Sequence, residues 1–360
     1  MSDDRFRCAI LGASGYIGQH FARLLADHPW FDVPALVSTE RSEGRTLADV
    51  WQLAEAPPEV LAETKLVAAS ARSLARDGVR VAFSALPSGT AGPLESELVR
   101  RGVSVFSNAA DHRMDPRVPL LVPEVNADHL GLISTRRPPR SILVTNPNCS
   151  TTGLVLALAP VRNLLAPRVI HVSTYQSLSG AGYPGVPSLS ITDNVVPFIR
   201  EEEEKLRQET ARILGRRRED AIVPSPVPVL AHCVRVATRE GHLESVTVEA
   251  TRRPRLVALE SAWRSFAPLR ELDLPTAPVD PVELRREVDR PQPLRDRWAG
   301  RPARARGMAA VVGRVRWTPP YLRFFVLSHN AVRGGAGASV LNAELAVARG
   351  LLRRPGEVVR

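Results

Sequence analysis

Short apolar runs alternate with helical spacing over the first part of the chain. Arg7–Leu11 is the first run. Gly12-Ala13-Ser14-Gly15-Tyr16-Ile17-Gly18 follows, and then Phe21, Leu24 and Leu25 recur at helical spacing. Val33–Val37, Val79–Ala85 and Val103–Ser107 read as further strands, with a helix around Leu94–Arg101 before the last of them. Strands alternating with helices predict an α/β fold, a Rossmann-type doubly wound parallel sheet.

Beyond residue 148 the pattern changes. Ser150–Leu165 reads as one helix. Strand patterns follow at Val169–Tyr175, Val229–Ala237 and Ser245–Ala250, then a helix at Leu256–Phe266. Residues 268–305, rich in Pro, Arg and Asp, read mainly as loop. Strands return at Met308–Val315 and Leu322–Leu327, and a helix at Ala336–Gly350 closes the pattern. These elements predict a second, α+β domain over 149–329. The first domain then spans 1–148 and is joined by a C-terminal helix within 330–360.

Composition narrows the function classes. With 44% hydrophobic and 24% charged residues the chain is of ordinary globular type, which excludes disorder as its main state. The net charge is +10, yet only Lys65 and Lys205 are lysines. The excess is arginine spread along the whole chain. The densest run, Arg216-Arg217-Arg218, is followed by Glu219 and Asp220 and carries no aromatics, so no nucleic-acid partner is expected. Three scattered cysteines form neither a disulfide framework nor a zinc pair, so no metal is expected. Met1–Arg5 lacks the apolar core of a signal peptide, which points to the cytoplasm. Ser141–Val161 and Val169–Thr192 carry no Asp, Glu, Lys or Arg, but both are too polar or too rich in Gly and Pro to span a membrane. They suit the lining of an active site for a small-molecule substrate.

Gly12, Gly15 and Gly18 lie between a strand and a helix. Glycines let a backbone approach a pyrophosphate, and a helix start supplies N–H donors. At the end of the second strand Ser38, Arg41 and Ser42 can bond and neutralise a 2′-phosphate, which favours NADP; Glu40 keeps NAD open. Cys149 sits among polar residues where an extended segment meets a helix, a place that favours the nucleophilic thiolate. Cys8 and Cys233 read as small buried hydrophobes.

Asn146-Pro147-Asn148-Cys149-Ser150-Thr151-Thr152-Gly153 resembles the nucleophile motif of the aspartate-β-semialdehyde dehydrogenase family, in its archaeal and fungal-like branch. The resemblance extends over Gly12–Gly18, Ser38–Ser42, Ser107-Asn108-Ala109, His112-Arg113-Met114 and Val122-Pro123-Glu124-Val125-Asn126. It continues through Ser179–Ser188, Glu201–Lys205, Gly241-His242 and Ser328-His329-Asn330. It implies reduction of L-aspartyl-4-phosphate with NADPH to aspartate semialdehyde and inorganic phosphate, through a thioester on Cys149. By the same resemblance His242 is the acid–base group and Gln176 orients the substrate. Arg235 binds its α-carboxylate, Arg113 grips phosphate, and Glu202 with Lys205 contacts amine and phosphate. Asn148 steadies the oxyanion, while Ser179, Gly180 and Asn330 lie by the cofactor. The second domain would be catalytic and dimerising, giving a homodimer or homotetramer. The pathway implied is synthesis of lysine, threonine, methionine and diaminopimelate.

Val234 and Ala237 beside Arg235, Arg200 before the acidic run, and Leu243 after His242 depart from the family pattern without removing a catalytic group. The alternatives are reduction of N-acetyl-γ-glutamyl phosphate or malonyl-CoA, or a non-catalytic NADP-binding paralogue.

Overall fold

The computed structural model describes residues 5–133 and 140–352. Its strands are β1 (Phe6–Leu11), β2 (Phe31–Val37), β3 (Leu66–Val67), β4 (Val81–Ser84), β5 (Ser104–Ser107), β6 (Leu143–Thr145) and β7 (Pro167–Gln176). β8 (Arg216–Arg218), β9 (Ala221–Val223), β10 (Val229–Arg235), β11 (His242–Ala250), β12 (Val282–Leu284), β13 (Ala310–Thr318) and β14 (Tyr321–Ser328) follow. The main helices are α1 (Tyr16–Leu25), α2 (Ala91–Arg100), α3 (Cys149–Leu158), α4 (Glu202–Ile213), α5 (Leu256–Arg264) and α6 (Gly337–Ala348).

The chain divides into two units. One takes the described residues up to Leu121, those of Asp128–Asn146, and those from Ala336 on; the other takes Val122–Ala127 and Pro147–Gly335.

The first unit is built on a parallel sheet in the order β3-β2-β1-β4-β5-β6. This is the doubly wound order, in which the chain reverses direction across the sheet beside β1. Strands buried on both faces need apolar residues throughout, and β1 and β4 supply them. Phe21, Phe31, Phe83 and Phe106 form an aromatic cluster, with neighbouring ring centroids 5.4–6.0 Å apart. α6 returns to this unit, where Glu344 lies 2.8 Å from His28 in a fully buried contact. The expected return at 330 begins instead at Ala336, because Asn330 and Arg333 are bonded within the second unit. The part of the expected C-terminal helix over 353–360 lies outside the described residues, as do Met1–Asp4.

The second unit carries a mixed sheet, β10-β7-β11-β14-β13-β12, parallel only at its two outer pairs. α3 packs against β11, β13, β14 and α4, and every residue of Ser150–Leu158 is buried. Beyond its polar first turn the helix is apolar on all sides rather than amphipathic.

Three expectations are corrected. The helix read over Ser150–Leu165 stops at Leu158, and a separate turn of helix covers Arg162–Leu165. Pro160 lies between them; it lacks an N–H and its ring clashes with the preceding turn. β11 begins at His242, three residues earlier than the expected Ser245, so His242 is a strand residue. The region 268–305 contributes β12, which joins the sheet beside β13. Its shortness hid it from a periodicity argument.

Candidate active site

The second unit draws most of the expected catalytic residues together. Asn148 caps α3: its side-chain oxygen accepts from the N–H of Ser150 at 2.8 Å and of Thr151 at 3.4 Å. An Asn cap satisfies donors that the helix leaves orphaned. Cys149 therefore occupies the first helical position, where the helix dipole favours negative charge. Its Sγ lies 3.1 Å from His242 Nε2.

The other face of that imidazole is held by Ser177. The Ser177 N–H donates to Nδ1 at 3.1 Å, and its hydroxyl lies 3.2 Å away. A backbone donor on Nδ1 makes that nitrogen the acceptor, so Nε2 carries the proton in the neutral ring. Burial, then the nearby Arg235 charge, pushes the His242 pKa down to about 3. The neutral ring thus presents Nε2–H to the sulfur. Arg235 donates to the Ser177 carbonyl at 2.7 Å. A side chain at Gly180 would lie 2.8 Å from Arg235 and 3.1 Å from the His242 ring, so glycine leaves both groups clear.

A second cluster centres on Glu202, which is buried. The Asn148 amide donates to both its oxygens at 2.9 Å, and the Gln176 amide donates to one at 2.8 Å. This corrects the oxyanion role expected of Asn148: its oxygen is used by the cap and its nitrogen by Glu202. Lys205 pairs with Glu201 at 3.1 Å one turn along α4, rather than with Glu202. Asn330 accepts from the Gly241 N–H at 2.9 Å and donates to Ser179 at 2.8 Å.

Several contributors escape a reading of the sequence. Ser177 is one, although it adjoins Gln176. Glu209 accepts the Asn148 N–H at 2.6 Å. Glu124 and Arg333 form a fully buried two-pronged ion pair at 3.0 and 2.6 Å. Next to Arg333, a Cβ on Gly334 would sit 2.6 Å from the Cys149 Cβ, so backbone packs directly on the nucleophile. In the sequence Glu124 is visible only as part of a motif, without a role. Glu244 faces the same buried side of β11 as His242, and burial, then Glu202, pushes its carboxyl well above the usual range. Near it, a Cβ on Gly153 would lie 2.8 Å from Ser328 Oγ, which explains a glycine inside α3. Burial raises the Cys8 thiol and pushes Cys233 up to about 12, so neither resembles Cys149.

The first unit holds the glycine loop. The N–H groups of Gly12 and Ala13 both donate to the Val37 carbonyl at 2.9 Å, fixing the loop to the end of β2. A Cβ on Gly18 would come within 2.1 Å of the Gly12 carbonyl oxygen. Gly15 stands at the start of α1, and no side chain caps that helix. The close turn and the absence of a capping side chain fit a pyrophosphate. Ser14 and Ser38 hydroxyls are 2.7 Å apart. Arg41 is exposed and Ser42 half-buried in a short turn after β2. Gln19, not anticipated, donates to the Ser14 carbonyl at 2.9 Å and steadies the loop. Arg113 is buried, donating to the Asn108 carbonyl at 2.6 Å. Among the described residues no group of three or more His, Cys, Asp or Glu is placed to hold a metal ion, and no helix is long and apolar enough to cross a membrane.

Known proteins resemble this chain in sequence and fold. The family model described as semialdehyde dehydrogenase, NAD binding domain, matches residues 7–133, and the one described as its dimerisation domain matches 158–333. An aspartate-semialdehyde dehydrogenase of Archaeoglobus fulgidus is 43% identical over 95% of this chain and 98% of its own. The chain belongs to the aspartate-semialdehyde dehydrogenase family. The solved structure of the Candida albicans enzyme with NADP superposes with a TM-score of 0.86 at 32% identity, covering 97% of this chain and all of that one. The neighbourhood also includes a malonyl-CoA reductase (NADP) of Metallosphaera sedula, 36% identical over 96% of this chain and 98% of its own. Aspartate-semialdehyde dehydrogenases thus share both sequence and fold with this chain, and its glycine loop lies in the family's nicotinamide-dinucleotide-binding domain.

Proposed function

We propose that this chain is an NADP-dependent aspartate-semialdehyde dehydrogenase that reduces L-aspartyl-4-phosphate to L-aspartate-4-semialdehyde and inorganic phosphate. The observation that carries this reading is the 3.1 Å contact between Cys149 Sγ and a His242 ring oriented by Ser177. Cys149 thiolate attacks the acyl phosphate carbonyl; a C–S bond forms, the C–O bond to phosphate breaks, and a thioester results. When bound, the dinucleotide supplies the hydride that turns the thioester carbonyl into an oxyanion. Collapse of that oxyanion expels Cys149 as thiolate, and the Nε2–H of His242 steadies the sulfur as it regains its charge. Phosphate leaves as hydrogen phosphate, so the acylation step takes up one proton, while hydride addition and collapse need none. His242, whose Nε2 lies 3.1 Å from the sulfur, is assigned the acid–base role that moves this proton, beside its part as a donor to the thiolate.

Arg235 is assigned the substrate α-carboxylate, since a guanidinium fork suits a carboxylate. Gln176 and Glu202 are assigned the substrate amine side, and Arg113 and Lys205 the phosphate. Gly12–Gly18 with Ser38, Arg41 and Ser42 would hold NADP, with Ser179, Gly180 and Asn330 toward its nicotinamide. Two observations support NADP over NAD: the Candida albicans enzyme was solved with NADP, and this chain has Ser38 where an acid would favour NAD. We further infer that the first unit is the dinucleotide-binding domain and the second the catalytic and dimerisation domain, and that the chain forms a homodimer or homotetramer acting in the cytoplasm in amino-acid biosynthesis.

The test is NADP reduction with aspartate semialdehyde and phosphate, wild type against Cys149→Ala, with NAD as control. Activity that vanishes in the variant is expected. A folded wild type that is inactive here but reduces malonyl-CoA would overturn the substrate assignment.

A further inference from the structure

The densest basic run of the sequence plays no part in the reaction, and the structure gives it a specific setting. Arg216 and Arg218 lie two apart on β8, which pairs with β9 as a two-stranded ribbon. Residues two apart on a strand share a face, about 7 Å from one another. Both line a cavity of about 920 Å³ in the second unit. Arg162 and Arg252 line the same cavity from the opposite chain segments. Both are anchored: Arg162 donates to the Leu214 carbonyl and Arg252 to the Asn163 carbonyl, each at 2.8 Å.

Four arginines therefore line one space, and no Asp or Glu is among its lining residues. Arg216, Arg218 and Arg252 make no ion pair among the described residues, although other surface arginines of this chain do. Like charges held within a Debye length of about 8–10 Å repel, and an anion placed among them relieves that repulsion. The walls are fixed as well: the Ser225 N–H donates to the Ala211 carbonyl at 2.7 Å, tying the ribbon's exit to the end of α4. The floor is apolar, with buried Leu158 and Ile170. Leu158 ends the helix that Cys149 begins, nine residues and about 13 Å along its axis.

We propose that this cavity is a binding site for a small organic anion, a phosphate, sulfonate or carboxylate carried on an apolar body. The guanidinium rim takes the charged group through charge-assisted bonds, and the floor takes the apolar part. None of its lining residues belongs to the glycine loop or to the cluster around Cys149, and the proposal does not rest on the catalytic reading.

The test titrates the full-length protein, saturated with NADP, with the fluorescent probe 8-anilinonaphthalene-1-sulfonate. Wild type is compared with the double variant Arg216→Ala/Arg218→Ala. Both residues are exposed, so the variant should keep the wild-type melting temperature and its basal dehydrogenase activity. Saturable binding is expected in wild type, weakened about tenfold or more in the variant, the scale of losing one or two charge-assisted bonds. The uncharged analogue N-phenyl-1-naphthylamine should bind at least tenfold more weakly than the sulfonate. Equal affinity of wild type and variant overturns the proposal. So does equal binding of the uncharged analogue, or the absence of saturable binding.

Discussion

Two helix starts in this chain are built in opposite ways. α1 begins behind Gly15, and no side chain caps it; the residues before it are small and the loop is pinned from behind by Val37 and Gln19. α3 begins behind Asn148, whose oxygen takes two of the helix N–H groups and whose amide reaches Glu202. Both starts offer the same positive dipole end. At α1 no side chain caps it, which leaves room for the proposed pyrophosphate. At α3 it acts on the chain's own Cys149, so the end is closed and cross-linked. On the proposed function, one helix start would be a binding surface for an external anion, and the other would favour the charge of an internal nucleophile.

The largest test of the α3 half is His242→Ala. Removing the Nε2–H that faces Cys149 should lower kcat by about 10²–10³, the cost of one preorganised donor at a developing charge. Dissociation of NADP should be unchanged. His242→Gln restores an N–H donor without a titrating ring, and it should recover part of the loss. A Gln variant as poor as Ala would show that proton transfer by the ring outweighs its hydrogen bond to the sulfur.

The corresponding break in α1 is Gly18→Ala. Its Cβ would stand 2.1 Å from the Gly12 carbonyl oxygen, which is backbone and cannot rotate away. About 1–3 kcal/mol of stability should be lost to the forced shift, and titration should show dinucleotide affinity falling with it. The same change at exposed Gly44, where nothing lies within 4 Å of a Cβ but φ is positive, serves as a control for strain without a clash. Wild-type dinucleotide affinity in Gly18→Ala would show that the loop does not hold the pyrophosphate.

The glycine loop was legible because its chemistry is local: three glycines between an apolar run and a helical pattern already dictate a close backbone turn. The parallel, doubly wound class of the sheet followed from alternation, while its short strands β3 and β6 did not. The surroundings of Cys149 were legible only in part. Cys149, Gln176 and His242 come from three different elements, and spacing along the chain says nothing of their approach; the family resemblance supplied it. What neither route gave was the support behind them. Ser177 acts through its backbone N–H, which carries no residue signature. Glu124 and Arg333 are 209 positions apart in the chain, and an ordinary Glu and Arg look alike whether solvated or buried. Asn148 showed its position but not its bonds, and so its amide was given to an oxyanion rather than to Glu202.

A pH profile sharpens the α1 side with a smaller effect. His20 lies on α1, and burial, then Arg23, pushes its pKa down to about 3. The unfolded chain takes up a proton near pH 6.5 that the folded state refuses until about pH 3. Stability from this group is therefore full above pH 6.5 and falls as pH drops toward 3. For His20 alone the loss between pH 7 and pH 5 should be about 2 kcal/mol. Denaturant melts of wild type and His20→Gln at the two pH values measure it as a difference in slope, which also removes the opposing contribution of neutral Glu244. Parallel slopes would mean that His20 is protonated in the folded state.

The smallest expected effect bears most directly on the contrast. Asn148→Ala removes the α3 cap and should cost about 1 kcal/mol, within the range measured for such caps. Asn148→Ser keeps an oxygen for the Ser150 N–H but has no amide for Glu202. If the cap alone matters, Ser should restore both stability and kcat. If the link to Glu202 also matters, Ser should restore stability while kcat/KM for aspartate semialdehyde stays low, because Glu202 then lacks one of the two amides that orient it. We expect the second outcome. Gly15→Ser, which offers a capping hydroxyl to α1, supplies the mirror image: it should leave stability near wild type or better while weakening NADP, since the added side chain competes for the N–H groups a pyrophosphate would use. A helix start that gains from a cap at one site and is impaired by it at the other would establish that the two ends, alike in dipole, serve opposite purposes.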